Sequence, residues 1–399
     1  MSTTNQYLAT PWIKQLPQNW EVKKMKHVMS FFTGATPDSG KRDYYSESGN
    51  NWITITDLNG KYTNESTNKI TDIAVKDKNM KVAPKGALLY SFKLSVGQVA
   101  FVSEDTYTNE AIACFSPQEG VDLGFWYYAL QSYFIWNANE NIYGAKIFNE
   151  FLIKNSWIIY PPLQTQKTIA EYLNQKDQKI KKFIENKRKM IDLLKEEMLA
   201  LATKEQFEGK GDFIRIRHLV TLINREVKIE DDKEYIALGL YNRGRGLFHK
   251  PSTKGVDMGD STFFYVKEGD LILSGQFAWE GAVTMASASE NGCVVSHRYP
   301  VLVGKTIKTE YLLALLMTDF GDFLLNDSSR GAAGRNRPLN INLLLSKKIR
   351  IPDEEVQNEI TELFYKKKCL EDKIKQQIEL VEEYKKSLIY NAVTGEITV

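Results

Sequence analysis

Two stretches of about forty residues carry neither proline nor glycine after their opening turn, and nothing else in this chain restricts its fold as strongly. The first runs from Pro161 to about Lys204 and the second from Pro352 to about Thr394. A leading proline suits a helix's first turn, where its missing N–H costs nothing. Along the first stretch Leu173, Ile180, Ile184, Ile191, Leu194, Met198 and Leu201 recur at steps of three, four or seven. Leu363, Leu370, Ile374, Val381, Tyr384 and Leu388 do so along the second. Sustained with Lys and Glu between, this is a coiled-coil seam. Its predicted core is Ile180, Ile184, Ile191, Leu194, Met198, Leu370, Ile374, Val381, Tyr384 and Leu388. At ~1.5 Å per residue each helix would be about 60 Å long, which is the shape of a spacer.

What the helices separate follows from the rest of the chain. Residues 1–16 are polar and expected to fray. Residues 17–160 read as a mixed α+β globule, with strands at Trp52–Thr56 and Ala87–Phe92 and a helix over Leu123–Trp136. The first spacer helix occupies 161–208, and Gly209-Lys210-Gly211-Asp212 reads as a linker. A second globule fills 209–350, with strands at Tyr235–Leu238 and Asp270–Ser274 and a helix over Tyr311–Leu325, before a second spacer helix at 351–399.

The two halves repeat. Trp52/Tyr235, Ile53/Ile236, Gly86/Gly269, Leu88/Leu271 and Ser91/Ser274 each differ by 183 positions. Asn149/Asn340, Leu152/Leu343, Pro161/Pro352, Gln166/Gln357 and Ile169/Ile360 differ by 191, and Ile184/Ile374 by 190. The fold class expected is therefore α+β: two globular domains separated by a pair of long antiparallel coiled-coil helices, in a pseudo-two-fold internal repeat. Lys187 and Gln377, polar residues at core-type positions in equivalent places, are expected to meet near the centre of such a pair.

The 399 residues are 43% hydrophobic, enough for packed cores, and the net charge of +2 permits nucleic-acid binding without demanding it. Cys114, Cys293 and Cys369 are too scattered for a disulfide framework or a zinc cluster. His27, His218, His249 and His297 form no metal-binding helical pair, so no metal site is expected. The longest apolar run, Tyr311–Met317, cannot span a bilayer, and a reducing cytoplasmic setting without membrane partners is expected.

In order, Thr33-Gly34-Ala35-Thr36-Pro37, Trp52-Ile53, Asp57-Leu58, Ser95-Val96-Gly97 and Thr108-Asn109-Glu110-Ala111 resemble the recurring motifs of type I restriction-modification specificity subunits. Pro161-Pro162-Leu163 leading through Gln166 to Ile169-Ala170-Glu171-Tyr172-Leu173 is similar to the start of that family's spacer helix. Ala392-Val393-Thr394-Gly395-Glu396-Ile397 is similar to its end, and Ala278-Trp279-Glu280-Gly281-Ala282 with Cys293-Val294-Val295-Ser296 to a second recognition domain. Thr165 and Ala35 depart from the pattern, which more often has an acid and a glycine there. The resemblance implies a non-catalytic, DNA-binding subunit of a restriction system for host defence. Two target recognition domains would each bind one half of a bipartite asymmetric site on double-stranded DNA. The helices would set the unread spacer and dock two methyltransferase subunits, with restriction/translocase subunits joining them. S-adenosylmethionine, ATP and Mg²⁺ would serve DNA methylation and cleavage on those partners, leaving no cofactor in this chain.

The residues agree that chemistry is absent. Gly304-Lys305-Thr306 ends like a phosphate loop, but Tyr299 stands where its leading glycine belongs. Tyr160-Pro161-Pro162 lacks the polar residue of an amino-methyltransferase motif. Pro352-Asp353 and Glu371-Asp372-Lys373 mimic a nuclease carboxylate set, yet the latter three lie on the coil.

DNA contacts are sought among loop cations. Lys41, Arg42, Lys61, Lys93 and Lys146 punctuate the first globule among Tyr44, Tyr45 and Tyr62. Arg243, Arg245, Arg330, Arg335 and Arg337 punctuate the second, the last three in a glycine-rich run. Such residues neutralise phosphates or read base edges. The competing reading is a non-catalytic tether holding two protein-binding domains apart, which would need the same helices but no arginine-glycine loops. Salt-dependent duplex binding separates the two.

Overall fold

The structure is a computed structural model that describes residues 16–399 except 64, 94, 141 and 330–336. The frayed terminus expected for residues 1–16 therefore lies almost wholly outside the described residues. Contacts divide the chain into two units: Met1–Ile184 with Gln377–Val399, and Glu185–Gln376.

In the first unit a five-stranded sheet runs in the order Phe32–Thr33, Ile112–Phe115, Leu88–Ser91, Val99–Val102, Tyr62–Thr63. All pairings are antiparallel except the last. Leu88–Ser91 and Ile112–Phe115 are buried at every position, because strand alternation sends their side chains into two different cores. Leu88, Tyr90, Ala113 and Phe115 pack with Phe125, Trp126 and Ala129 of the helix Leu123–Ser132. Leu89, Ile112 and Cys114 face the other way, towards Ile53, Leu58 and Ala100. Glu21–Lys24 pairs antiparallel with Trp157–Tyr160 and closes the globule just before the first long helix, Leu163–Glu208.

The second unit repeats this plan. Its sheet runs Val220–Leu222, Val301–Gly304, Leu271–Leu273, Val283–Met285, all antiparallel. Leu271 and Leu273 pack with Tyr311 and Leu315, while Ile272 faces Leu238, Val295 and Val301. Phe213–Arg215 pairs with Lys348–Arg350, as Glu21–Lys24 does with Trp157–Tyr160, and the second long helix, Glu354–Thr394, follows. Gly86 and Gly269, matched by sequence offset, adopt the same left-handed turn before equivalent strands, at φ +82° and +84°. Their N–H groups bond the carbonyls of Val102 and Ala286.

The long helices pack together antiparallel within each unit. In the first, Ile169 and Leu173 share a core with Leu388, Ala392 and Val393, and Asp177 pairs with Lys385 at 2.6 Å. In the second, Met198 and Ala202 share one with Ile360 and Phe364. Of the predicted seam, Met198, Ile374 and Leu388 are buried, and Ile180, Ile184, Ile191, Leu194, Leu370 and Val381 half-buried. Tyr384 is exposed: the step after Val381 is four rather than three, so Lys385 takes the seam position and reaches Asp177. Gln377 is likewise exposed, between buried Ile374 and half-buried Ile378.

Other local differences have clear causes. The helix expected over Tyr311–Leu325 is two, Thr309–Leu316 and Asp319–Asp327. Thr318 caps the second by accepting the N–H of Gly321 at 3.2 Å, and Gly321 sits against the Leu315 carbonyl, where a Cβ would lie 2.3 Å away. The strand at Trp52 belongs to Tyr45–Ile53 and stops there, because Thr54 and Asp57 form a capping box on a short 3-10 turn. Leu123–Trp136 is helical to Ser132 and then a 3-10 turn. Gly211 is no loose linker: a Cβ there would meet the Ile351 carbonyl at 1.6 Å, and Arg350 bonds its carbonyl at 3.0 Å.

Candidate nucleic-acid interface

In the second unit the structure gathers residues that lie far apart in sequence around Trp279. The loop bearing Arg243 lies along the loop 278–281. Arg243 donates its N–H to the Glu280 carbonyl at 3.0 Å, and Gly244 donates to Gly281 at 2.8 Å. Arg243 holds a left-handed backbone at φ 58°, unfavourable for a residue with a Cβ and sustained here by those two bonds. Arg337, from beyond the second sheet, lies with its guanidinium 5.4 Å from the Trp279 ring centre. Arg245 covers Tyr241 at 5.4 Å and donates to the Asn242 carbonyl. Arg243, Arg245 and Arg337 are all exposed. Arg330 and Arg335 lie outside the described residues.

Beside Trp279 opens a cleft of about 580 Å³, walled by Lys195 of the first long helix, Arg243, Glu280, Met317 and Asp322. Asn242 orients the Glu280 carboxylate through its side-chain amide. Asp322 stands in the first turn of its helix, and burial together with nearby Asp319 holds its carboxyl above the usual range. Neither the Arg243 guanidinium nor the Asp322 carboxyl enters a side-chain hydrogen bond or ion pair among the described residues. A cation, an acid and an aromatic face therefore open on one space. Trp279, Glu280, Asp322 and Lys195 are not among the contacts expected from sequence, where the Trp279-Glu280-Gly281 run is the available signal; Gly281 there takes a left-handed backbone at φ 69°.

The first-unit candidates are not gathered in this way. Lys41 donates to the Tyr44 hydroxyl at 3.0 Å, which donates to Asp77 at 2.9 Å. That bond to Tyr44 raises the Lys41 pKa. Arg42 beside it is exposed. Lys93 is exposed in the turn between Leu88–Ser91 and Val99–Val102. Lys146 is held by Glu140 across the hairpin of Asn139–Glu140 and Lys146–Ile147, and that bond lowers the Glu140 pKa. At the same hairpin's tip Ile142 and Tyr143 are 90% and 87% exposed, apolar surface that cation counting overlooked. Lys61 differs from all of these: it is half-buried over the rings of Tyr127 and Tyr128 and bonds Asn174 of the first long helix. Burial lowers its pKa, and its ammonium ties the globule to the helix.

Among the described residues no cluster of three or more histidine, cysteine or carboxylate side chains could hold a metal ion. No helix among them is long and apolar enough to cross a membrane.

Residues 17–191 match the profile of a family described as the type I restriction modification DNA specificity domain. The chain is 29% identical over 195 residues to the type I restriction enzyme MjaIX specificity subunit of Methanocaldococcus jannaschii, covering 47% of this chain and 44% of that one. It is 22% identical over 117 residues to the HindI specificity subunit of Haemophilus influenzae, covering 29% and 25%. The chain thus spans less than half the length of the curated relatives it matches. Two solved structures share its fold at 12% identity. One, from work on complex assembly and conformational transition of the type I R-M system, has a TM-score of 0.62 over 96% of this chain and all of that one. The other, the HsdS subunit from Thermoanaerobacter tengcongensis, has a TM-score of 0.51 over 96% and 98%.

Proposed function

We propose that this chain is a DNA specificity subunit of the type I restriction-modification family, whose profile residues 17–191 match, and that it reads a bipartite DNA site. Each β-rich region binds one half of the site, and the long helices set the unread length between the halves. The chain is non-catalytic. It brings two methyltransferase subunits, which carry S-adenosylmethionine, and through them restriction and translocase subunits using ATP and Mg²⁺, to the sequence it selects.

The observation that carries this reading is the repetition of one plan. Each unit has a central buried strand preceded by a left-handed glycine, a helix packed upon it, and a strand pair leading into a long helix. Two copies of one reader on one chain suit an asymmetric site of two parts. Docking draws support from apolar side chains left outside the helix cores: Leu380 and Tyr384 in the first unit, Met190 and Leu193 in the second, each 47–65% exposed. The tether alternative gives no reason for exposed arginines to converge on Trp279.

Methylome sequencing of a host with and without the gene tests the reading. One bipartite adenine-methylated motif should depend on the chain. Loss of no motif, or of a continuous one, refutes it.

A further inference from the structure

The cleft beside Trp279 holds two side chains of opposite character without pairing them. The Arg243 and Asp322 side chains take no hydrogen bond or ion pair from the described residues, though both line one space of about 580 Å³. Glu280, the other carboxylate there, is already engaged by Asn242. A site built only to grip phosphates would not place an uncommitted carboxyl beside its cation, because that group meets the phosphate charge unfavourably. The arrangement suits a ligand edge with acceptors on one side and an amine donor on the other. A guanine·cytosine pair offers such an edge in the major groove: guanine O6 and N7 accept, and cytosine N4 donates. Arginine is the common partner of the first and a carboxylate of the second.

We propose that Arg243 and Asp322 together read one G·C base pair in the half-site bound by the second unit, Arg243 on guanine and Asp322 on the cytosine amine. This rests on the DNA-reading function proposed above. The backbone supports it, since Arg243 is held at φ 58° by paired bonds to the 278–281 loop, which fixes where its side chain begins. Gly281 at φ 69° keeps that loop close, with Asp322 Oδ1 3.6 Å from where a Cβ would lie.

The test uses the full chain assembled with its methyltransferase subunits and a panel of duplexes carrying the wild-type methylated motif. Each base pair of both half-sites is replaced in turn, and affinity is measured by competition at one salt concentration. Arg243→Gly suits the left-handed backbone and Asp322→Asn is isosteric, so both variants keep the loop and helix. In the wild type, replacing one G·C pair of one half-site should weaken binding about tenfold or more. Each variant should cut that ratio below about threefold at the same pair and leave the ratios in the other half-site as they were. Even weakening across all duplexes, wild-type ratios at every position, or effects at two different pairs would each overturn the assignment. A wild-type complex with no sequence preference in either half would instead overturn the DNA-reading proposal beneath it.

Discussion

The side-chain oxygen of Gln166 accepts the backbone N–H of Asp122 at 2.9 Å, joining the first turn of the first long helix to the residue that caps the helix packed on the sheet. Its amide donates to the Pro161 carbonyl at 2.9 Å, and the side chain is fully buried. Gln357 repeats the arrangement, accepting from Lys308 at 2.8 Å and donating to Pro352 at 3.0 Å. A glutamine one turn past the proline is thus the joint between globule and long helix in both units.

Replacing Gln166 with alanine leaves the half-buried N–H of Asp122 and the buried carbonyl of Pro161 without this partner. It should cost about 1–3 kcal/mol. Gln166→Glu should not rescue it, because the amide donor would become an acceptor facing the Pro161 and Gly120 carbonyls. Thermal unfolding of the full chain measures both, and unchanged melting in the alanine variant would show the joint to be dispensable.

Acid should loosen the helix pair through Asp177. Burial by itself would raise this carboxyl, but Lys385 and Lys181 outweigh it and hold the pKa below the usual value. The folded protein therefore holds the proton less tightly than the unfolded chain. The stabilisation is complete above the unfolded pKa of about 3.9 and is lost as pH falls through the lower folded value. Asp177→Asn should lower stability by about 2 kcal/mol at pH 7. Denaturation curves of variant and wild type should converge once the pH has fallen below the folded pKa of Asp177. A gap that persists there would assign the effect to something other than ionisation.

How much of this was legible in the sequence depends on whether a residue's role leaves a period. The long helices, the repeated Gly86 and Gly269 turns and the Gln166/Gln357 joint all follow from spacing, because buried faces and left-handed turns impose fixed offsets. Tyr384 was misplaced because steps of three and four are both allowed, and an aromatic residue outscores the lysine that occupies the seam. The split at Thr318 was hidden by apolar residues continuing on both sides of it. Loop cations carry no period at all. Lys61 and Arg243 look alike in sequence, yet one is packed on Tyr127 and the other lines an open cleft, since long-range folding alone decides what a loop lysine or arginine meets.

On the proposed ruler role of the long helices, the unread length of the site should be adjustable without changing either half. Four residues inserted beside Lys187 add roughly one helical turn, about 6 Å, and return the following residues to nearly the same face. The methylated motif should gain about two base pairs of unread sequence, at 3.4 Å each, with both halves unchanged. Methylome sequencing of the insertion strain checks this, and an altered half-site would refute the helices' role as a ruler. Exchanging residues 17–160 for a relative's segment is the complementary measurement, and it should change one half only.

Of the arginine-glycine run before the second long helix, Arg337 is the one arginine among the described residues. Arg337 uses the face of its guanidinium on Trp279, 5.4 Å from the ring centre, which leaves the N–H groups around its edge for an anion. A stacked guanidinium at the rim of a cleft is better placed to hold a phosphate than to select a base, unlike Arg243 within the cleft. Arg337→Ala should therefore weaken binding to all duplexes evenly and reduce the salt slope by about one, with every base preference intact. Affinities measured across a salt series for cognate and scrambled duplexes give both quantities at once. A loss confined to the cognate duplex would make Arg337 a base reader. An Arg330/Arg335/Arg337 triple-alanine protein that assembles normally and keeps wild-type affinity and slope would remove the whole run from the DNA surface.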